Sequence, residues 1–221
     1  MLKLSPELID RLHRVETSCV ADADKSVRAI DTAIHPITNK ERMIGIAHTV
    51  QCHEDFLTVL KALENAKAGD VLVIDTQNSV TAVAGELFAS EAKRKGLAGI
   101  VIDGACRDTT ALKQIGLPVY ARSINPVSGM TQSIGKIGIP ITCGGVNVSP
   151  GDLILGDQDG IVVMNENELI RILPLAEEIQ QLETKLLNKI GSGESLLDLC
   201  NLSEHWNQRE ANRNSHLKFK I

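Results

Sequence analysis

Two adjacent charged residues, Arg107 and Asp108, directly follow the strongly apolar segment 99–106. A guanidinium binds a carboxylate through two parallel hydrogen bonds, and a carboxylate assisted by water binds a hard divalent cation such as Mg²⁺. If a helix begins at this point, its free backbone N–H groups also favour an anion. Such a combination suits a 2-oxo acid, because its carbonyl and carboxylate oxygens chelate a metal that can stabilise an enolate.

Three further acidic residues are candidates for the same site. Asp75 and Asp103 each end an apolar segment, and Glu86 comes early in a predicted helix. In open α/β sheets, ligands bind beyond the carboxyl ends of the parallel strands, where these residues would lie. Simpler roles remain open for all of them: a helix N-cap for Asp108, a surface salt bridge for Arg107, a solvated helix face for Glu86, and turns for Asp75 and Asp103.

The segments on either side of Arg107 alternate between apolar and amphipathic runs. Strands are predicted at 44–52, 69–76, 98–104 and 117–123. Helices are predicted at 55–66, 79–95 and 107–116, with Asp55 as the cap of the first and with Gly96 and Gly116 closing the other two. Apolar strands that alternate with helices are typical of parallel βαβ units whose sheet is covered by helices.

The two ends of the chain follow different patterns. A helix is predicted at 6–15, with Ser5 as its cap, and a second short helix begins near Thr17. Residues 135–165 are rich in Gly and Val and predict short strands packed against the parallel unit. A long amphipathic helix is predicted at 165–190. Pro174 should either kink this helix or mark its true start. Its apolar stripe suits contact with a partner subunit.

Composition excludes several classes of function. Only 2% of the 221 residues are aromatic and the net charge is -5, so we expect no nucleic-acid partner. The amphipathic N-terminus is unlike a signal peptide and no apolar run reaches about 18 residues, so we expect no membrane span. Five scattered cysteines predict reduced thiols in a cytoplasmic protein, and Cys106 is expected to be a small buried residue because no histidine base is evident beside it.

At this point the motif resembles a known family. The segment 85–108, GELFASEAKRKGLAGIVIDGACRD, is similar to the signature of class II pyruvate aldolases, which cleave 4-hydroxy-4-methyl-2-oxoglutarate and 4-carboxy-4-hydroxy-2-oxoadipate. That family shares its fold with the regulator of ribonuclease activity A. Its pattern is an acidic residue, twenty residues and Arg-Asp, which Glu86, Arg107 and Asp108 satisfy. Other blocks follow in the family's order, so the resemblance covers roughly residues 15 to 185.

The predicted fold class is α/β. It has a parallel βαβ core with additional short strands, α/β/α layers of the swivelling-domain-like kind, and a long C-terminal helix. A single domain is predicted over 1–190, followed by a C-terminal extension over 191–221.

The resemblance also implies roles for site residues. Asp108 would bind Mg²⁺ or Mn²⁺, Arg107 would hold the pyruvate carboxylate and steady the enolate oxygen, and Glu86 would hold a water on the metal. The pyruvate pocket would be lined by Gly85 and by the backbone amides of Leu87 and Phe88. The family usually carries Asp where this chain has Glu86, and that longer side chain would shift the geometry of the water or the metal.

The resemblance implies partners as well. Family members assemble as trimers or pairs of trimers with active sites between subunits, so a homo-oligomer is expected. A neighbouring subunit would supply a glutamate from its C-terminal region, for which this chain offers Glu177, Glu178 and Glu183.

Two functions follow from the sequence. The first is a divalent-metal-dependent lyase that cleaves a 4-hydroxy-2-oxo acid by a retro-aldol reaction to give pyruvate, and that decarboxylates oxaloacetate through the same enolate. The alternative is a non-catalytic binding protein resembling the regulator of ribonuclease activity A, which would not need the metal residues. A methyltransferase is excluded because no glycine-rich turn follows the strand 69–76 before Gly85.

Overall fold

The computed structural model of the protein describes residues 2–39 and 42–220. The helices are α1 Pro6–Leu12, α2 Thr17–Ala23, α3 Leu57–Asn65, α4 Glu86–Arg94, α5 Thr109–Ile115, α6 Glu166–Gly191 and α7 Leu202–Glu210. The strands are β1 Arg28–Ala29, β2 His35–Pro36, β3 Met43–Gln51, β4 Asp70–Asp75, β5 Ala82–Ala84, β6 Gly99–Cys106, β7 Val119–Ile124, β8 Lys136–Ile137, β9 Ile141–Cys143, β10 Val146–Val148, β11 Leu153–Gly156 and β12 Ile161–Met164.

The centre of the fold is a parallel sheet in the order β3-β4-β6-β7. The helices α3, α4 and α5 lie between these strands in the sequence, which makes each connection a crossover unit. Antiparallel strands extend the sheet: β11, β12 and β1 continue it beyond β3, and β2 pairs with β7. The predicted α/β fold with a parallel core, additional short strands and a long C-terminal helix is therefore confirmed.

Strand β4 shows why the sheet is covered on both faces. Its Leu72 and Ile74 point to one side and pack with buried residues of α3, α4 and α5. Its Val71 and Val73 point to the other side and pack with the antiparallel hairpin of β9 and β10. Because side chains alternate along a strand, an uninterrupted apolar run needs an apolar layer on each face.

A third apolar cluster attaches the terminal helices to the antiparallel end of the sheet. Buried residues of α1, α2 and α6 pack against β11 and β12, including Leu12, Val20, Leu153, Met164 and Leu173. Helix α6 begins at a capping box, in which Asn165 and Glu168 each bond the other's backbone N–H at 2.9 and 2.6 Å. It continues through Pro174, so of the two roles predicted for this proline, a kink or the true start of the helix, the second is wrong.

The predicted helix over 79–95 is also wrong in its first half. Residues Ala82–Ala84 form β5, which is buried and pairs in parallel with the end of β6, and α4 begins only after Gly85. The chain reaches this position after Thr76 crosses β6 at Gly104, where a Cβ would lie 2.3 Å from the Thr76 hydroxyl oxygen. Small and β-branched residues suit a buried strand as well as a helix, which is why their pattern did not separate the two.

Other helix and strand boundaries differ from prediction by a few residues. Helix α1 ends at Leu12, before the predicted residue 15, and β6 extends to Cys106, beyond the predicted end at residue 104. Gly96 and Gly116 follow α4 and α5 with φ of +76° and +73°, so the predicted closing glycines are confirmed.

The C-terminal residues fold back on themselves after α6. Helix α7 is followed by a return of the chain, in which Cys200 forms an isolated bridge with Phe219. The predicted division between residues 190 and 191 stays a prediction. Across 2–39 and 42–220, none of the helices has the length and apolar character that crossing a bilayer requires.

Asp55 does not occupy the predicted N-cap position of α3, but its carboxylate accepts the first N–H of that helix and joins α3 to the loop before β8. Phe56 occupies the N-cap position, while the buried Asp55 carboxylate accepts hydrogen bonds from the backbone N–H groups of Leu57, Gln132 and Ser133 at 2.8, 2.6 and 2.8 Å. Burial alone would raise the pKa of Asp55, but these three hydrogen bonds outweigh it and lower the pKa below its usual value.

We predict that Asp55→Ala lowers the free energy of unfolding by roughly 3 kcal/mol at pH 7, because three backbone N–H groups lose the buried carboxylate that accepts their hydrogen bonds. A lowered native pKa stabilises the fold above the unfolded pKa of about 3.9, and this contribution is lost as the pH falls through the native pKa. The difference between wild type and variant in urea unfolding should therefore shrink below about pH 4. Asp10→Ala on an exposed part of α1 is the control, and an equal effect of both substitutions would contradict the assignment.

Candidate active site

The parallel pairing of β5 with β6 brings the two halves of the motif together. Ala82 pairs with Ala105 and Ala84 pairs with Cys106, so the residues that follow each strand leave the sheet side by side. The backbone N–H of Arg107 donates to the carbonyl oxygen of Ala84 at 3.1 Å. The twenty residues between Glu86 and Arg107 are therefore the rest of helix α4, a turn and strand β6. They bring the chain back to the end of β5, where the helix began.

Asp108 points at the start of α4 and not at its own helix. Its backbone has φ +59° and ψ +37°, a left-handed conformation that aspartate adopts more readily than most residues. Its Oδ2 accepts a hydrogen bond from the backbone N–H of Glu86 at 3.1 Å. Asp108 does occupy the predicted N-cap position of α5, but its side chain makes no capping hydrogen bond to α5 and instead accepts the first N–H of α4.

Gly85 is needed where these two segments meet. A Cβ on Gly85 would lie 2.4 Å from Oδ2 of Asp108 and 2.9 Å from Cγ of Arg107, both closer than non-bonded atoms approach. The absence of a side chain lets the Asp108 carboxylate approach the first turn of α4. The glycine thus fixes the distance between the carboxylate and the free N–H groups of this helix.

A cleft of about 320 Å³ opens at this junction. Its lining combines the charged side chains of the motif with apolar side chains and one serine. The lining is Phe56, Ala82, Val83, Ala84, Gly85, Glu86, Leu87, Phe88, Arg107, Asp108 and Ser128. The structure therefore brings together the six residues to which the resemblance gives a role: Gly85, Glu86, Leu87, Phe88, Arg107 and Asp108.

The charged side chains of the cleft remain accessible to a ligand. The side chains of Arg107 and Asp108 are 40% and 42% exposed, and Glu86 is exposed at the first position of α4. Arg107 Nε lies 3.6 Å from Asp108 Oδ2, which is beyond hydrogen-bond distance. The only ion pair of Arg107 in the described part of the chain is this loose one, so its guanidinium can turn toward a bound carboxylate.

Asp75 and Asp103 lie outside this cleft and have structural partners. Asp75 accepts hydrogen bonds from the side chain of Gln51 and the backbone of Gln77, both at 2.9 Å or less. Asp103 forms an ion pair with Arg122 at 2.5 Å and accepts the N–H of Gly144 at 2.7 Å. Arg122 was not among the residues predicted for the site, because its only signal in the sequence is a lone charge within β7.

The cysteine beside the motif is a buried residue, as predicted. Cys106 ends β6 inside the apolar cluster beneath α4 and α5. Burial, with a smaller contribution from the charge of Asp108, raises the pKa of the Cys106 thiol to about 11. Because a thiolate is the nucleophilic form, this thiol is unsuited to catalysis near neutral pH.

The donor set of the cleft fits a hydrated hard cation better than a fully enclosed metal. In residues 2–39 and 42–220 there is no group of three or more His, Cys, Asp or Glu side chains placed to hold a metal. The cleft does offer two accessible carboxylates, Asp108 and Glu86. Mg²⁺ is commonly bound by one or two carboxylates together with waters and substrate oxygens.

The three glutamates predicted as candidates for a neighbouring subunit's site differ in the contacts that they already make. Arg11 donates two hydrogen bonds to Glu177 at 2.8 and 2.7 Å, and these bonds lower the pKa of Glu177. Glu183 accepts a contact from the Cys19 thiol at 3.3 Å. Glu178 is exposed on α6. Glu177 is therefore already paired within its own chain.

Known proteins that are similar to this chain identify its family. A family model described as RraA-like, Aldolase/RraA, matches residues 15–163. A protein of Halalkalibacterium halodurans that bears the name "Putative 4-hydroxy-4-methyl-2-oxoglutarate aldolase" is 38% identical over 176 residues, which are 79% of this chain and 84% of that protein.

Two solved structures are similar to the chain. The RNA-processing inhibitor RraA from Thermus thermophilis is 32% identical with a TM-score of 0.64, over 68% of this chain and 93% of that one. RraAS2 of Streptomyces coelicolor, described as an unusual member of the RNase ES inhibitor RraA protein family, is 28% identical with a TM-score of 0.72, over 83% and 97%. These matches confirm the resemblance drawn from the motif, and the chain belongs to the Aldolase/RraA family.

Proposed function

We propose that the protein is a divalent-metal-dependent lyase that cleaves a 4-hydroxy-2-oxo acid to release pyruvate. The observation that carries the proposal is the junction itself, where Arg107, Asp108 and the first N–H groups of α4 line one cleft. A guanidinium, a carboxylate and free helix N–H groups together recognise a ligand that carries both a carboxylate and a metal-chelating oxygen. The name of the Halalkalibacterium halodurans relative supports the same class of reaction.

A divalent cation would bind where the two carboxylates of the cleft lie. Asp108 would hold Mg²⁺ or Mn²⁺, with Glu86 acting on its surrounding waters. The bound cation would supply Lewis-acid stabilisation of negative charge on the substrate's 2-oxo oxygen.

The chain's own residues account for orientation and proton transfer. Arg107 binds the C1 carboxylate and places its positive charge beside the C2 oxygen, where negative charge develops. Glu86 accepts the proton of the C4 hydroxyl through a water as the C3–C4 bond breaks and its electrons move into the enolate. The proton then returns to C3, which gives pyruvate and a carbonyl product. Oxaloacetate would pass through the same enolate after losing CO₂.

A second candidate is a non-catalytic binding protein. It is favoured by the similarity to the RNA-processing inhibitor RraA, 93% of which is covered. This function would not require the cleft residues. Retained partner binding by a variant that lacks the Asp108 charge, together with absent turnover in wild type, would favour it over the lyase.

We predict that Asp108→Asn lowers metal-dependent pyruvate release by at least about 100-fold. Asparagine tolerates the left-handed backbone and can still accept the Glu86 N–H, but it removes the charge that holds the cation. The measurement is lactate-dehydrogenase-coupled pyruvate release from 4-hydroxy-4-methyl-2-oxoglutarate and from oxaloacetate, with Mg²⁺, with Mn²⁺ and with a chelator.

Two controls accompany this assay. Oxaloacetate decarboxylates in metal solutions without enzyme, so that rate is subtracted. Asp10→Asn replaces an exposed aspartate of α1 and should keep full activity. Turnover that survives both the chelator and Asp108→Asn would disprove the metal-dependent assignment.

We also predict that Arg107→Lys raises the KM for oxaloacetate by about 10- to 100-fold. Lysine keeps the positive charge but loses the two parallel N–H donors that grip a carboxylate. Arg94→Lys is the matched control, because Arg94 lies on the exposed face of α4 and pairs with Glu91. A KM that is equally unchanged in both variants would show that Arg107 does not bind the substrate carboxylate.

A further inference from the structure

Helix α7 is covered in the reverse of the usual way for a surface helix. It lies beyond residues 15–163, which the family model matches, and none of its side chains is buried. The side chains that are partly covered are polar: His205, whose ring lies 3.0 Å from the Ser215 hydroxyl, and Gln208. Trp206, its largest apolar side chain, is 61% exposed. Because a surface helix normally covers its apolar residues, α7 is arranged for a contact that a single chain does not provide.

Three exposed residues of α7 form a continuous strip, here named the α7 strip. Leu202, Trp206 and Arg209 are separated by four and three residues, which places them on one face of the helix. The strip is apolar over its first part and ends in a positive charge. Within residues 2–39 and 42–220, Arg209 forms no ion pair. A surface that matches the α7 strip is therefore apolar and carries negative charge.

A groove of about 520 Å³ has this character, and we name it the α6 groove. It is lined by the second half of α6, by Asp22 of α2 and by two residues of the chain after α6. Its apolar lining includes Leu182, Leu186, Leu187, Ile190, Leu196 and Phe219. The charged residues of the lining, Asp22 and Glu183, are both acidic; Asp22 pairs with Lys25, and Glu183 accepts a contact from the Cys19 thiol at 3.3 Å. The groove thus resembles the α7 strip in apolar surface and is opposite to it in charge.

The α7 strip and the α6 groove of one chain do not cover each other. None of the strip residues lines the groove, and Leu187 of the groove is 67% exposed. Both features nevertheless lie at the same end of the molecule, because Leu196 and Phe219, which precede and follow α7 in the sequence, line the groove. A twofold rotation can therefore place the strip of each copy in the groove of the other, which gives a closed pair.

We infer that the C-terminal residues form a contact between two copies of this chain, in which α7 of each copy lies in the α6 groove of the other. Leu202 and Trp206 cover the apolar lining, and Arg209 faces the acidic side chains of the groove. The opposite charges of strip and groove identify a second copy as the occupant. A helix laid in an apolar groove is a common mode of protein recognition. The contact is separate from the cleft and does not depend on the proposed lyase reaction.

Trp206 reports on this contact directly, because it is the single tryptophan of the chain. The experiment compares the full chain with its Leu187→Glu variant, which places a charge in the groove, at the same high micromolar concentration. We expect light scattering to give the wild type twice the mass of the variant, whether the smaller species is one chain or a larger ring. Trp206 emission in the wild type should lie at shorter wavelength and be less quenched by iodide.

A mixing experiment shows whether the contact joins two chains. Leu202→Glu alters the strip, as Leu187→Glu alters the groove, and each variant alone should have half the wild-type mass. A mixture of the two should regain the doubled mass in part, because one unaltered strip then faces one unaltered groove. Ile170→Glu is the matched control, since Ile170 is exposed on the first half of α6 outside the groove, and it should keep the wild-type mass. Thermal melting confirms that each variant is folded.

Three results would overturn the inference. The first is equal mass and equal Trp206 emission in the wild type and Leu187→Glu. The second is a shielded Trp206 without a doubled mass, which would place α7 in the groove of its own chain. The third is a mixture of Leu187→Glu and Leu202→Glu that associates no better than either variant alone.

Discussion

The candidate site depends on one close contact between backbone and side chain. The Asp108 carboxylate rests against the start of α4, where Glu86 donates its N–H and Gly85 leaves room for the carboxylate oxygen. Any side chain at Gly85 would displace Asp108 or Arg107. The same contact sets where a cation and the carboxylate of a ligand could meet. The local backbone structure and the proposed ligand binding therefore depend on the same residues.

An exchange of strands beside β6 makes this contact possible. Strand β4 leaves the edge of β6 at Asp75, and β5 takes its place at Ala82–Ala84. The crossing of Thr76 over Gly104 allows that exchange, and a hydrogen bond of 2.6 Å from the Thr76 hydroxyl to the Asp103 carbonyl oxygen holds it. Without the pairing of β5 with β6, nothing would hold the start of α4 beside Arg107. The short strand is therefore as important to the site as the charged residues themselves.

Much of this arrangement could be predicted from the sequence, for identifiable reasons. Apolar strands and helices closed by glycine are patterns of neighbouring residues, and they were sufficient to predict the parallel core. The grouping of Glu86 with Arg107 and Asp108 came from the resemblance to the aldolase motif, and all three residues line the cleft. The strand β5, the capping direction of Asp108 and the partners of Asp55 depend on residues distant in the sequence. No local pattern encodes them, because small apolar residues and single aspartates fit several structures equally well.

The most direct test of the account is the binding of oxalate, a planar mimic of the pyruvate enolate. Calorimetric titration would use the full chain with Mg²⁺, with a chelator, and as the Gly85→Ala variant. We predict saturable binding with Mg²⁺, and affinity lower by at least about tenfold, or 1.4 kcal/mol, both without the cation and in the variant. Equal affinity in all three titrations would contradict the claim that the contact at Gly85 and Asp108 builds a cation-dependent site.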